Sequence, residues 1–318
     1  MTLPLPLTIP RMHDLLMAPL MFFLHLIYFW WIGWVVILYY LWYSAYWYFA
    51  LLWVSVYMFW YLDGSQRGVG QYWPAFANLG IWDIYLNYFP MTLHTVPLEK
   101  GKKYIIAVQP HGVVSVNHVL LMARWDRYFP DHPKRDMIAS VLFRIPFLRE
   151  FHLWLGCTDA SKRTAQKILR HNMSLLLYPG GEQEQMRSRI DEFGLYLKHR
   201  LGFIRLAMEE GGIEIVPILA FGETRIFEQA PILLSFRLWL VKKFQMGIPF
   251  LYGRWGTIIP RKVPLHLVMA PPFKVPAFKH PPKDAVHACL NDYIAHVTDF
   301  YEKEKGKYDY DGVPLVIH

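Results

Sequence analysis

The chain has 318 residues, a formal net charge of +8 and two cysteines. At that length one large domain or two small ones can bury a core that needs no disulfide or metal. Cys157 and Cys289 stand far apart with no CxxC and no nearby His pair, which excludes a disulfide framework and zinc-finger spacing; each reads as a buried small hydrophobe.

Hydrophobic residues make up 54% of the chain and aromatics 17%, high for a soluble protein. Their distribution explains this: between Asp14 and Asp63 there is no Asp, Glu, Lys or Arg. Because Arg11 and Asp14 cancel, the whole positive charge falls after residue 62. A basic globular part behind an uncharged apolar leader suits an anionic membrane surface and anionic, phosphorylated substrates, and it disfavours a nucleic-acid partner.

Leu15 to Leu38 is uncharged and long enough to cross a bilayer, which takes about 20 apolar residues. The Tyr and Trp cluster from Tyr39 to Tyr48 suits the headgroup level, and Phe49 to Leu62 is a second, shorter apolar run. The economical expectation is a membrane hairpin over residues 1–62, with residues 63–318 forming a cytosol-facing domain; one span plus a shallow interfacial segment is the alternative. Asp63 to Gly70 reads as a polar linker, and Trp73 to Leu93 as an aromatic stretch lying at the interface.

Lys103 to Val108 reads as the first strand, ending in Pro110-His111-Gly112. A lone His at a strand-to-loop corner is a candidate general base, because its free pKa lies near neutral. Val113 to Arg124 has helical spacing, with His118 as a satisfied helix-face residue. Arg144 and Arg149 flank a proline turn, where a guanidinium fork could hold phosphate oxygens or pair on the surface, as Arg149 with Glu150. Asp159 is a candidate N-cap for a helix over Ser161–Arg170, whose first turn carries Lys162 and Arg163.

Ser174 to Tyr178 is a second strand, ending in Pro179-Gly180-Gly181-Glu182-Gln183-Glu184. Glu182 and Glu184 are candidates to orient the His111 ring. Leu201 to Met208 reads as a helix stopped by Gly211-Gly212, and Ile213 to Phe221 as a strand ending in Gly222-Glu223. Residues 232–251 read as an amphipathic segment on the membrane surface, Leu265 to Met269 as a strand, and Asp284 to Lys305 as a surface helix. Strands ending in polar corners predict an α/β sheet with its site beyond the strand ends. No GxSxG elbow, HExxH, P-loop or dinucleotide fingerprint is present, and the His-x4-Asp pattern fails because residue 116 is Val.

From about Tyr61 to Pro276 the order of motifs resembles the type-2 diacylglycerol acyltransferase family, which includes monoacylglycerol and wax-alcohol acyltransferases. Pro110-His111-Gly112 is similar to most of that family's His-Pro-His-Gly motif, and Phe143-Arg144-Ile145-Pro146 with Arg149-Glu150 to its Phe-Arg-x-Pro-x-x-Arg-Glu block. Gly180-Gly181 with Glu184, Arg200-Leu201-Gly202-Phe203, and Val216-Pro217 with Phe221-Gly222-Glu223 follow in order. The chain departs from the pattern with Gln109 for the first His, Leu201 for a frequent Lys, Thr224 for a frequent Asn and Ala270 for a Gly.

The resemblance implies a membrane-anchored, glycerolipid acyltransferase-like α/β domain behind the N-terminal hydrophobic hairpin. It implies transfer of a fatty acyl group from acyl-CoA to diacylglycerol at the endoplasmic reticulum membrane and lipid droplets. Monoacylglycerol or a long-chain alcohol is the rival acceptor, and a non-catalytic lipid-binding scaffold the rival of another class. In that mechanism His111 is the base, Glu184 orients it with Glu223 as second choice, and backbone N–H groups of Gly112, Gly180 or Gly181 hold the oxyanion. Arg144, Arg149, Lys162, Arg163 and Arg200 would bind acyl-CoA, a co-substrate, with no bound cofactor and no metal; a homo-oligomer stays open.

Overall fold

The computed structural model describes residues 30–244, 247 and 249–318. Its sheet strands are β1 (Met91–His94), β2 (Ile105–Gln109), β3 (Lys134–Ile138), β4 (Cys157–Asp159), β5 (Ser174–Leu177), β6 (Ile215–Phe221) and β7 (Leu265–Met269). They form one seven-stranded sheet in the order β1-β7-β6-β2-β5-β3-β4. The strands from β6 to β4 run parallel, whereas β7 is antiparallel to β6 and β1 follows β7. β2 and β6 are buried along their whole length, as continuous apolar runs in a sheet covered on both faces should be. The strands read from the sequence at Lys103, Ser174 and Ile213 are therefore the adjacent trio β5-β2-β6, and their polar corners lie side by side at one edge.

One face of the sheet packs against α7 (Leu201–Glu209) and α9 (Lys283–Glu304), through Leu206, Val286, Tyr293 and Val297. The other face is covered by α3 (Gly80–Tyr88) and α4 (His118–Tyr128). Trp82, Tyr85, Leu86 and Phe89 are buried whereas Trp73, Leu79, Ile81 and Ile84 are exposed, so the stretch from Trp73 to Leu93 is amphipathic, with one side in the core. Two further expectations are corrected locally. Residues 113–117 form the turn ahead of the helix, which starts at His118, and Glu223 accepts from the N–H groups of Val116 and Asn117 just before its first turn. Asp159 belongs to β4, and the cap of α6 (Lys162–Arg170) is Ser161, whose Oγ accepts from Thr164 N–H at 3.3 Å.

β3 carries Lys134, Arg135 and Asp136, a charged run that no apolar pattern reveals. It stays in the sheet because Lys134 and Asp136 are buried as an ion pair, and Arg135 stacks on Tyr72 at 5.5 Å.

Ahead of the domain, α1 (Trp30–Tyr43) and α2 (Trp47–Tyr61) pack together across a turn at residues 44–46, with Trp34 and Trp53 stacked at 5.0 Å. Among the described residues no helix is long and apolar enough to cross a membrane. Most of the run Leu15–Leu38, with Arg11 and Asp14, lies outside the described residues. Phe147 packs on the helix pair, 4.9 Å from Trp34 and 5.2 Å from Tyr57 between ring centroids.

Candidate active site

The corners of β5 and β2 open into a cavity of about 1470 Å³ lined by His111, Ser115, His118, Tyr178, Gly181 and Glu182 among others, and the β6 corner at Gly222-Glu223 is not among the lining residues. The His111 Nδ1 lies 3.0 Å from the Gly112 carbonyl oxygen and 2.9 Å from Ser115 Oγ. A carbonyl can only accept, so Nδ1 carries the proton and Nε2 is the basic atom. Burial pushes the His111 pKa down to about 4, leaving the ring neutral at pH 7.

Of the three carboxylates expected to orient the ring, Glu182 lines the cavity, whereas Glu184 and Glu223 hold the main chain. Glu184 accepts from the His111 N–H and, at 2.9 Å, from the Tyr196 N–H. Glu223 accepts from the N–H groups of Val116 (2.7 Å) and Asn117 (3.0 Å) and from Asn117 Nδ2 (2.7 Å). Burial raises each to about 7 against the pull of those donors. Both are positioning residues: Glu184 fixes the start of the loop and Glu223 its end. Ser115, which sequence reasoning passed over, takes the ring contact assigned to a glutamate. Its place four residues after His111 was the available signal.

The glycine expectations narrow. Gly112 has φ 64° and a Cβ there would lie 2.6 Å from Glu223 Cγ, so only glycine fits between the base and the carboxylate. The Gly181 N–H already donates to Tyr178 O at 3.1 Å, which removes it as an oxyanion donor and leaves Gly112 and Gly180. The Gly180 carbonyl accepts from Arg200 Nη2 at 2.6 Å, placing Arg200 beside the corner.

His118 is satisfied, as expected, by Asp136 at 2.9 Å, yet it also lines the cavity. Tyr178 stands edge-on to both rings, 5.2 Å from His111 and from His118. Cys157 completes a cluster with His118 and Asp136 whose ligand atoms lie within 4.8 Å of one another. Lys134 already neutralises Asp136, and burial pushes the Cys157 thiol up, so this set does not suit a divalent cation.

Of the expected acyl-CoA residues, Lys162 and Arg200 line the cavity, joined by His199, Arg205 and Lys242, which the sequence did not single out. Lys162 pairs with Glu209 at 2.5 Å, whereas Arg205 has no side-chain partner among the described residues. Arg144 and Arg163 are exposed and are not among the lining residues.

A family model described as diacylglycerol acyltransferase matches residues 39–318. The chain belongs to the diacylglycerol acyltransferase family. Relatives include Diacylglycerol O-acyltransferase 1 of Schizosaccharomyces pombe, 30% identical over 83% of this chain and 82% of that one. Diacylglycerol O-acyltransferase 2B of Umbelopsis ramanniana is 28% identical over 83% and 82%. The 2-acylglycerol O-acyltransferase 1 of Bos taurus is 26% identical over 85% and 84%. Among solved structures, the 1-acyl-sn-glycerophosphate acyltransferase PlsC from Thermotoga maritima aligns with a TM-score of 0.43 and 11% identity, over 71% of this chain and 78% of that one.

In this member of the diacylglycerol acyltransferase family, the departure at Gln109 is not among the residues lining the cavity. Gln109 is fully buried and donates through Nε2 to Tyr293 OH of α9 at 3.3 Å. Arg149 is corrected outright. Its guanidinium is buried and engaged by Asp63, Glu150 (2.6 Å), Ser65 (3.0 Å) and Gln66 (3.0 Å), so it ties the linker to the domain, and it is not among the residues lining the cavity.

Proposed function

We propose that this protein transfers a fatty acyl group from acyl-CoA to the free hydroxyl of diacylglycerol, making triacylglycerol. The observation that carries the reading is a neutral imidazole, with its basic nitrogen fixed as Nε2, on a cavity that is cationic at Lys162, Arg200 and Arg205 and apolar at Leu142, Ile145, Phe250 and Ile258. Such a cavity suits a phosphorylated carrier and a lipid together.

His111 Nε2 takes the proton of the acceptor hydroxyl while that oxygen attacks the thioester carbonyl carbon. The C–S bond then breaks, the electron pair leaves with sulfur, and the imidazolium returns the proton to the thiolate. Gly112 and Gly180 N–H groups stabilise the oxyanion between these steps. The thioester is already activated, so acyl-CoA serves as co-substrate without a bound cofactor. Residues 1–62 anchor the chain in the endoplasmic reticulum membrane, with residues 63–318 on the cytosolic side and access to lipid droplets; the exposed aromatic surface of α1 and α2 supports this. The relative that is named for a 2-acylglycerol keeps monoacylglycerol in view as acceptor.

The test is expression in yeast lacking its own triacylglycerol synthesis, with membranes given labelled oleoyl-CoA and diacylglycerol, monoacylglycerol or hexadecanol. Labelled triacylglycerol supports the proposal. Label only in diglyceride or wax ester reassigns the acceptor, and no product from well-expressed protein favours a scaffold.

Two outcomes follow from the cavity. Arg205→Ala should raise the KM for acyl-CoA about tenfold, the weight of one charge-assisted hydrogen bond, with kcat little changed. Lys162→Ala should do less, because Glu209 already neutralises it. The pH–rate profile should keep its activity well below pH 6.5, because a base held at about 4 stays unprotonated there. Stability has the matching sign: between about 6.5 and 4 the unfolded chain binds a proton at residue 111 that the folded one does not. The contribution of His111 therefore falls as pH drops through that window, and denaturation of the wild type and His111→Ala across it measures the effect.

A further inference from the structure

α8 (Leu234–Phe244) wears its polarity inside out. Arg237 is 2% exposed and faces inward with Val241, whereas Phe236 (53%) and Trp239 (48%) face outward. The buried guanidinium donates to Ala230 O at 2.7 Å and lies 4.9 Å over Phe250. A helix facing water turns its cation out and its aromatics in. The reverse is stable where the outer medium is apolar.

The apolar surface does not stop at the helix. Ile232 and Leu233 precede it, and Trp255, 75% exposed, protrudes from the turn at residues 254–256 with Arg254 over its ring at 4.3 Å. Phe250 and Ile258 are both exposed at this surface and both line the cavity, so the patch runs continuously into its mouth. Lys242 and Lys243 stand exposed at the end of α8. Anionic headgroups complement them.

We propose that α8 and the 254–258 turn form a second lipid-contact surface, inserted in the phospholipid leaflet, and that the acceptor lipid reaches His111 laterally from that leaflet, past Phe250 and Ile258. The route rests on the acyl-transfer reading; the lipid contact does not. Lys162, Arg200 and Arg205 also line the cavity and suit the phosphates of the water-soluble co-substrate.

The experiment uses the full chain in vesicles of phosphatidylcholine and phosphatidylserine. A Trp255→Cys variant is labelled with an environment-sensitive fluorophore, selectively because Cys157 and Cys289 are both buried. Brominated phospholipids should quench the label; absence of quenching overturns the lipid contact. Self-quenching that rises with the protein-to-lipid ratio, without quenching by lipid, assigns the face to a second copy and equally overturns it. For the route, Phe236→Glu and Trp239→Glu should lower transfer to vesicle-borne dioleoylglycerol at least tenfold, yet leave transfer to dissolved dihexanoylglycerol within twofold. Equal effects on both acceptors overturn the route. A wild type inactive on both acceptors strikes the acyl-transfer reading instead, with the quenching result still deciding the lipid contact.

Discussion

Replacement of His111 by alanine should lower acyl transfer by about 10²–10⁴-fold, the usual weight of a general base, in a chain that still folds. The ring bonds to Gly112 O and Ser115 Oγ and meets Tyr178 edge-on, and the loop around it is fixed by the backbone N–H bonds to Glu184 and Glu223, which alanine keeps. The loss should therefore appear in kcat with KM for acyl-CoA little changed. Retention of more than about a tenth of wild-type activity would refute the role, and His118, the other imidazole on the cavity, would become the residue to replace. Ser115→Ala should fall between the two: the carbonyl still selects the tautomer, but the ring loses one of its two hydrogen-bonded restraints.

Arg149→Ala should cost about 3–5 kcal/mol, because it leaves Asp63 and Glu150 without the buried cation between them. Lysine should restore little, since a single ammonium cannot reach acceptors on Asp63, Ser65, Gln66 and Glu150 together. Thermal unfolding in detergent, with limited proteolysis in the linker from Asp63 to Gly70, measures this. A rise in KM for acyl-CoA with unchanged stability would return Arg149 to the phosphate-binding role that its sequence neighbourhood suggested.

That reversal shows where a sequence is transparent and where it is not. The central strands, their corners and the helices at Leu201 and Lys283 could be read because apolar periodicity is a local property. β3 could not, because Lys134 and Asp136 are buried as partners of each other and of residues distant in sequence, such as His118. The site divides in the same way. His111 stands out by chemistry and by its corner, Lys162 by its place in the first turn of a helix, and Arg200 by the family resemblance. Which atom a glutamate touches depends on the loop's path in space, so Glu184 and Glu223 were selected correctly as neighbours and misread as ring partners. Arg205 gave no signal, being one arginine on an ordinary amphipathic helix. Gln109, a departure within a motif, turns its side chain toward Tyr293.

The central position of β2 also sets the order in which the molecule can come together. Its Ile105 pairs with Leu175 on one side and with Ile215 on the other. During synthesis from the N-terminus, β2 emerges long before either partner, and its second edge stays bare until β6 has left the ribosome. Both faces of the waiting strand are apolar, so it is the segment most open to wrong pairing. Such long-range pairings are slow to form, and the catalytic loop acquires its last restraint only when Glu223 arrives directly behind β6. A nascent or truncated chain that ends before that residue would carry every group that touches the imidazole and still have no fixed site.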